Sequence, residues 1–234
     1  SSITVSYCLD VSCIILKKEF IKCSKSYDDF IYFYNEIIYQ FMKRIVVFCG
    51  SSLGYKAVYK DAAIALGNYF VHHQIGLVYG GGKIGMMGVL ADAILEQKGE
   101  VVGVIPKLLK KEEVVHPKVS EMIVCKTMSE RKVIMSQLVE GYITLPGGFG
   151  TLDELFEALT LNQLQIEQKP IGLLNINGFF DGILTQIGHM IAEGYIKPEH
   201  KKLVLVANSV ETLMEKMHQY IPLEKNSIIQ KVVR

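Results

Sequence analysis

The residues best suited to chemistry lie in one stretch, 141–157, where a glycine-rich turn joins an apolar run to an amphipathic one. The run at 142–145 predicts a short buried strand, which Pro146 ends. The turn that follows comprises Gly147, Gly148, Phe149, Gly150 and Thr151. We expect Thr151 to begin a helix. Because a glycine-rich turn at a helix start leaves several N–H groups unpaired, it predicts an anion site, most simply for a phosphate.

Charged side chains near this turn could act on a bound phosphate ester. Asp153 and Glu154 fall in the first turn of the predicted helix, where acidic residues also stabilise the helix terminus, so the pattern leaves both explanations open. Arg131 lies in the first turns of another predicted helix, where a basic residue gains nothing from the helix dipole. That position favours a functional role for Arg131, with Lys132 beside it, over a surface salt bridge.

These groups suit cleavage of a glycosidic bond better than acyl or phosphoryl transfer. Breaking a ribosyl C–N bond develops positive charge on the sugar, which one carboxylate can stabilise while it orients water. An anchored phosphate would hold the reacting carbon in place from a distance. The reaction requires no metal, and we expect no cofactor. The sequence contains no HExxH motif, no cysteine cluster and no evident Ser/His/Asp arrangement.

Two further turns of small residues follow predicted strands. Gly50 and Ser51 come after the run at 45–49, and the second turn comprises Gly80, Gly81 and Gly82. The second turn satisfies the GxGxxG pattern of dinucleotide sites, but it follows the second strand, and the next strand ends in proline rather than an acid. We therefore favour a phosphate- or ribose-facing loop over a dinucleotide site. The first turn could equally be a plain connection.

Apolar runs alternate with amphipathic segments along the rest of the chain, which predicts parallel strands joined by helices. The predicted strands are 45–49, 75–79, 101–105, 122–125, 142–145, 171–174 and 203–206. The predicted helices are 55–73, 84–97, 128–140, 151–166, 179–192 and 210–217, with Val133, Ile134, Leu138 and Val139 as apolar positions of the third. We predict an α/β fold, a Rossmann-like doubly wound parallel sheet in three α/β/α layers. All three turns then fall at one edge of the sheet, as expected of a nucleotide pocket.

Composition restricts the partners and the compartment. The chain has 234 residues, half of them hydrophobic, and a formal charge of +1, so nothing indicates binding to nucleic acid or to an anionic membrane. No apolar run approaches the ~20 residues that span a bilayer. The cysteines are Cys8, Cys13, Cys23, Cys49 and Cys125, with no CxxC pair. We expect reduced thiols and a cytoplasmic protein.

The first 41 residues differ from the rest. They combine cysteine, serine, lysine and many aromatic residues, and Met42 directly before a core strand resembles a translation start. We predict that residues 1–41 are an N-terminal extension dispensable for catalysis, with an added helix that covers an apolar surface as the alternative. Residues 42–234 are predicted to form a single Rossmann-like nucleotide-binding catalytic domain.

Two motifs resemble those of one known family. The segment PGGFGTLDE fits the PGGxGTxxE signature of the LONELY GUY family of cytokinin-activating phosphoribohydrolases, and Met128 to Lys132 fits its MxxRK signature. The resemblance implies hydrolysis of nucleoside 5′-monophosphates to a free base and ribose 5-phosphate, by a homodimer. The apolar surfaces of helices 128–140 and 151–166 are candidates for that interface. Many members carry the label lysine decarboxylase, but no Ser-x-His-Lys motif that would anchor pyridoxal phosphate is present.

The resemblance also assigns roles to residues. Arg131 and Glu154 match the catalytic pair of the family. The matching substrate-binding positions are Met128, Lys132, Gly148, Phe149, Gly150 and Thr151, with Glu113 and Thr160 in less distinctive context. Gly50, Ser51 and the Gly80 turn resemble the remaining pocket turns. The chain departs from the family at Ser129, where many members have histidine, and at 161–162, which leaves the preferred base open.

Two functions are compatible with these features. The first is a phosphoribohydrolase acting on AMP or on an N6-prenylated AMP. The second is a carrier of a nucleotide or of molybdenum cofactor, because related folds bind such ligands without turnover. The simultaneous presence of Arg131 and Glu154 favours the enzyme, since a carrier would need neither.

Overall fold

The structure, a computed structural model, describes residues 42–110 and 114–223 and consists of strands that alternate with helices. The strands are β1 (Arg44–Phe48), β2 (Gly76–Tyr79), β3 (Val101–Pro106), β4 (Glu121–Cys125), β5 (Gly141–Thr144), β6 (Ile171–Leu174) and β7 (Leu205–Ala207). The α-helices are α1 (Ala57–His72), α2 (Gly85–Leu95), α3 (Met128–Gln137), α4 (Phe149–Gln163), α5 (Asp181–Ala192) and α6 (Val210–His218). Short 3₁₀ helices lie at Lys107–Leu109, Ile176–Gly178 and Pro198–Leu203.

Within the described residues the strands form one seven-stranded sheet in the order β4-β3-β2-β1-β5-β6-β7. Every neighbouring pair is parallel. The chain winds outward from β1 to β4, returns through α3 to place β5 beside β1, and then winds the other way. The order of the strands therefore reverses between β1 and β5, and the crevice at the carboxyl ends of such a pair is where open α/β sheets bind ligands.

Helices cover both faces of the sheet, so the predicted three-layer Rossmann-like fold is confirmed. Successive side chains of a strand point to opposite faces, and β1 shows this clearly. Ile45 and Val47 pack with residues of α1, α2 and α6. Val46 and Phe48 pack with residues of α3, α4 and α5. The helices that carry Arg131 and Glu154 thus share one face.

Four details of the predicted elements are wrong. The α4 helix spans Phe149–Gln163 and not 151–166, and it begins earlier than predicted because Gly148 is the last extended residue. Asp153 and Glu154 are consequently beyond the first helical turn, and helix-terminus stabilisation no longer accounts for them. Helix α3 ends at Gln137, because the N–H of Glu140 already pairs with the backbone of β1.

The other two differences concern packing. Val133, predicted as an apolar helix position, is 52% exposed. Leu203 is buried at the end of a 3₁₀ helix and does not belong to β7. The bounds of the remaining elements differ from the predicted ones by a residue or two.

No helix in the described parts of the chain has the length and apolarity needed to cross a membrane. The predicted N-terminal extension, residues 1–41, lies outside the described residues, as does Glu113.

Candidate active site

The turns after β1 and β5 meet at the point where the strand order reverses. The N–H of Gly50 donates to the carbonyl of Pro146 at 3.1 Å, and the carbonyl of Gly50 accepts from the N–H of Met87 at 3.4 Å. A Cβ atom at Gly50 would lie 3.2 Å from the Cα of Gly147, so the close approach of the two turns favours glycine at this position. This contact joins segments from both halves of the sheet around one cleft.

The amino terminus of α4 forms one wall of the cleft. Gly148 precedes the helix, and having no side chain it cannot cap the first N–H groups. A Cβ at Gly147 would overlap the buried side chain of Thr151, whereas one at Gly148 or Gly150 would meet no described atom within 4 Å. The backbone of the first helical turn is therefore open to a ligand, and its N–H groups and helix dipole attract an anion.

Arg131 and Glu154 face each other across the cleft. The guanidinium Nη2 lies 3.3 Å from Glu154 Oε1, and each side chain is only 11% exposed. The guanidinium also contacts Gly80, where any Cβ would overlap it. Arg131 Nε is buried, and no atom of residues 42–110 or 114–223 accepts its hydrogen. The second glycine turn thus leaves room for the cation, which retains a donor for a ligand.

The environment of Glu154 disfavours its charged form. Burial raises the pKa of this carboxyl, and the positive charge of Arg131 opposes the shift only in part. The charges of Asp153 and Glu157 raise the pKa further, while Lys132 lowers it. A buried carboxyl with one cationic partner at the side of a cleft is the kind of group that takes part in acid–base or electrostatic catalysis.

The cleft has a volume of about 250 Å³ and brings together most of the residues predicted for the site. The predicted residues that line it are Gly50, Ser51, Gly80, Met128, Arg131, Gly148, Phe149, Gly150, Thr151 and Glu154. Phe149, at 94%, and Met128, at 46%, expose their side chains. One cleft therefore combines an uncapped helix terminus, an ion pair and apolar surface.

Other predicted residues lie elsewhere. Lys132 pairs with Asp153 and Glu157 of α4. Thr160 donates to the carbonyl of Phe156 at 2.7 Å on the exposed side of α4. Gly147 contacts Gly50 beneath the turn.

Gly81 and Gly82 also lie outside the cleft, because the segment that contains Val115 and His116 pairs with them. The N–H of His116 donates to the carbonyl of Gly81 at 2.9 Å, and Gly82 forms an antiparallel bridge with Val115. His116 is buried and its Nε2 lies 3.1 Å from Asp92 of α2. The second turn thus presents Gly80 to Arg131, while the other two glycines serve its own packing.

Sequence reasoning did not predict that four further residues line the cleft. They are Val47, Cys49, Met87 and Asp153. Met87 fills the space beside Gly80 and Gly82. Met87 lies at the start of α2, and the glycine turn directly before this helix is the sequence feature that could have predicted its place in the cleft. Burial raises the pKa of the Cys49 thiol, so Cys49 lines the cleft as an unreactive side chain and not as a nucleophile.

Comparison with known proteins gives concordant matches. The family model described as possible lysine decarboxylase matches residues 87–217. The cytokinin riboside 5′-monophosphate phosphoribohydrolase LOG1 of Arabidopsis thaliana is 44% identical over 180 residues, which cover 77% of this chain and 84% of that protein. The enzyme of the same name, LOG, from Oryza sativa subsp. japonica is 43% identical over 77% of this chain and 74% of its own.

Solved structures show the same fold at lower identity. The molybdenum cofactor carrier protein of Chlamydomonas reinhardtii superposes with a TM-score of 0.58 at 24% identity, covering 75% of this chain and 96% of that one. The molybdenum cofactor binding protein of Rippkaea orientalis gives a TM-score of 0.56 at 22% identity, covering 82% of this chain and 98% of that one. At such identities the likeness concerns the fold alone.

Proposed function

The chain belongs to the LONELY GUY family of cytokinin riboside 5′-monophosphate phosphoribohydrolases, and from that membership we propose that it hydrolyses the N-glycosidic bond of a nucleoside 5′-monophosphate. The products are a free base and ribose 5-phosphate. The observation that carries the proposal is the buried pair of Arg131 and Glu154, 3.3 Å apart beside a helix terminus open to a phosphate.

Each part of the cleft has a role in this reaction. The substrate phosphate binds at the amino terminus of α4, remote from the bond that breaks, and its anchoring fixes the ribose. As the C–N bond breaks, the base leaves with the electron pair and the ribose carbon becomes positive. Glu154 stabilises that charge and orients the attacking water. Arg131 holds the carboxylate ionised and in place.

The pH dependence of turnover tests the role of Glu154. Burial raises its pKa above the ordinary glutamate value of 4.5, and the carboxylate is the active form. We therefore expect kcat to fall as the pH falls through this raised pKa, so the acidic limb lies above the range of an exposed glutamate. Initial rates of base release between about pH 4 and 9 measure the limb. An acidic limb at or below the ordinary value would contradict this role.

The apolar surface of the cleft indicates which base the substrate carries. Met87, Met128 and Phe149 contribute side chains to it, and such surface suits a purine or an N6-prenyl group. We propose AMP and an N6-prenylated AMP as substrates. The family membership supports the prenylated nucleotide, since the relatives named above are cytokinin riboside 5′-monophosphate phosphoribohydrolases.

A carrier of molybdenum cofactor is the second candidate, because solved carrier and binding proteins share the fold. Arg131 and Glu154 count against it, since a carrier gains nothing from a carboxylate held beside a phosphate site.

The test that separates the two functions is a chromatographic assay of the purified protein with AMP and with isopentenyl-AMP. Release of free base from either supports the enzyme, and the ratio of kcat/KM values ranks the substrates. Binding without release of base would support the carrier.

We propose that the protein acts as a homodimer joined through α4. A groove of about 450 Å³ follows the outer side of this helix, with Phe149, Leu152, Phe156 and Leu161 among its lining residues. On neighbouring segments Val133 is 52% exposed and Ile166 65% exposed. An exposed apolar surface of this kind is typical of a protein interface, and a second copy of the chain is the occupant that the family resemblance implies.

A Phe156→Glu substitution is expected to give a monomer in sedimentation velocity, because it places a charge in the centre of this groove. Tyr195→Glu is the matched control, since Tyr195 is 82% exposed on the turn after α5. The control is expected to keep the mass of the parent protein. A Phe156→Glu protein that sediments as the parent does, or a parent protein that is monomeric, would exclude this interface.

We also propose a cytoplasmic location. In the described part of the chain Cys49 and Cys125 are free thiols, both buried. Free thiols are typical of a reducing compartment, which supports this proposal.

A further inference from the structure

Lys132 points away from the cleft although it follows Arg131 directly. Neighbouring residues of an α-helix project about 100° apart, so the two side chains leave α3 in different directions. Arg131 extends to Gly80 and Glu154. Lys132 extends to α4, where its Nζ lies 3.2 Å from Asp153 Oδ2 and also pairs with Glu157. Its side chain is 18% exposed.

The two partners of Lys132 flank Glu154 in the sequence of α4. Asp153 precedes Glu154, and Glu157 lies one helical turn after Asp153, so both project from one side of α4. Like charges at this spacing repel each other. A single ammonium group between them removes the repulsion and joins α3 to α4 at the level of the Arg131–Glu154 pair.

The ammonium group is therefore already occupied by anions. Lysine carries a compact charge with three donors, and two carboxylates take up its charge here. A substrate phosphate would compete with these two carboxylates for the ammonium charge, whereas no described side chain caps the terminus of α4. We propose, on the basis of the proposed function, that Lys132 is a positioning residue that holds Asp153 and Glu157 and thereby fixes Glu154 opposite Arg131, and that it is not a ligand of the substrate phosphate.

The charges around Glu154 give the proposal a distinct pH signature. Arg131 and Lys132 face it from α3, Asp153 and Glu157 lie beside it on α4, and the Cys49 thiol lies at the end of β1. Without Lys132 the charges of the two neighbouring carboxylates are opposed by Arg131 alone. The ionised form of Glu154 is then less stable, and the acidic limb of kcat moves to higher pH.

The experiment compares Lys132→Met with Lys132→Arg. For Lys132→Met we expect kcat to fall by about tenfold to a hundredfold, with an acidic limb at higher pH. The inhibition constant of ribose 5-phosphate, which reports phosphate binding, is expected to stay within about threefold, less than 1 kcal/mol. Lys132→Arg keeps the charge and restores much of kcat. Lys60→Met, an exposed lysine of α1 on the other face of the sheet, is the matched control and leaves kcat unchanged.

A tenfold or larger rise in the ribose 5-phosphate constant with kcat unchanged would overturn the proposal and make Lys132 a phosphate ligand. Failure of the proposed function is a separate result, namely parent protein that releases no base from any nucleotide tested. In that case thermal unfolding of Lys132→Met, Glu157→Gln and the double variant decides. A double variant with the Tm of Lys132→Met supports the contact between helices, and additive losses of Tm overturn it.

Discussion

A Glu154→Gln protein is expected to lose turnover by about a thousandfold or more while it still binds nucleoside monophosphate. Glutamine keeps the shape of the side chain but cannot become an anion, so it stabilises neither the developing charge on the ribose nor the water. The proposed phosphate site at the start of α4 involves backbone N–H groups, and the substitution leaves them in place. Single-turnover release of base from AMP measures the first effect, and calorimetric titration with ribose 5-phosphate measures the second.

Glu193→Gln provides the matched control, because Glu193 is an exposed carboxylate at the end of α5, and it is expected to behave as the parent protein. Thermal unfolding checks that the Glu154→Gln protein is folded. Undiminished release of base would remove Glu154 from the mechanism. Loss of ribose 5-phosphate binding together with turnover would assign Glu154 to substrate binding instead.

Replacing Arg131 by methionine is expected to lower kcat/KM by about two to three orders of magnitude and to move the acidic limb of kcat to higher pH. The guanidinium charge lowers the pKa of Glu154 more than any other group does, so its removal leaves burial opposed by Lys132 alone and protonates the carboxyl at a pH where the parent is ionised. The pH profile separates this effect from a simple loss of substrate binding, which would leave the limb in place.

Arg131→Lys tests the geometry of the same cation. Lysine retains the charge but not the planar set of donors, including the buried Nε, so we expect a kcat/KM between those of the parent and the methionine variant. An acidic limb in Arg131→Met identical to that of the parent would show that Glu154 does not depend on Arg131.

The sheet and the cleft could be predicted from sequence because their signals are local. Buried parallel strands are continuous apolar runs, such as 45–49, and glycine turns after three of these runs mark the carboxyl edge. Parallel strands place all such turns at the same edge, so the meeting of Gly50 with Gly147 follows from the fold class. The pairing of Arg131 with Glu154 was inferred from the family motifs rather than from their spacing in the sequence. In the structure the two side chains are in contact.

The rest depends on contacts that leave no pattern in the sequence. Phe149 was missed as the start of α4 because its side chain is exposed, and apolar periodicity begins only at Leu152. The bridge between Gly82 and Val115 is too short to show alternation. The partners of Lys132 lie on another helix. Packing determines which side chains of different helices and strands meet, and one sequence alone carries no pattern that reveals it.

The pairing of β1 with β5 has a consequence for the order of folding. The N–H of Arg44 donates to Glu140 at 2.9 Å at the base of this pair, and the two residues are 96 positions apart. β1 and β2 can pair across one short helical connection, but β5 joins them only after a loop of that length has closed, which is entropically slow. We therefore expect the crevice between β1 and β5 to form late in folding. We expect a nascent chain that has folded β1 to β4 to have much of the sheet already, and to gain the proposed anion site and the proposed catalytic carboxylate only when β5 pairs with β1.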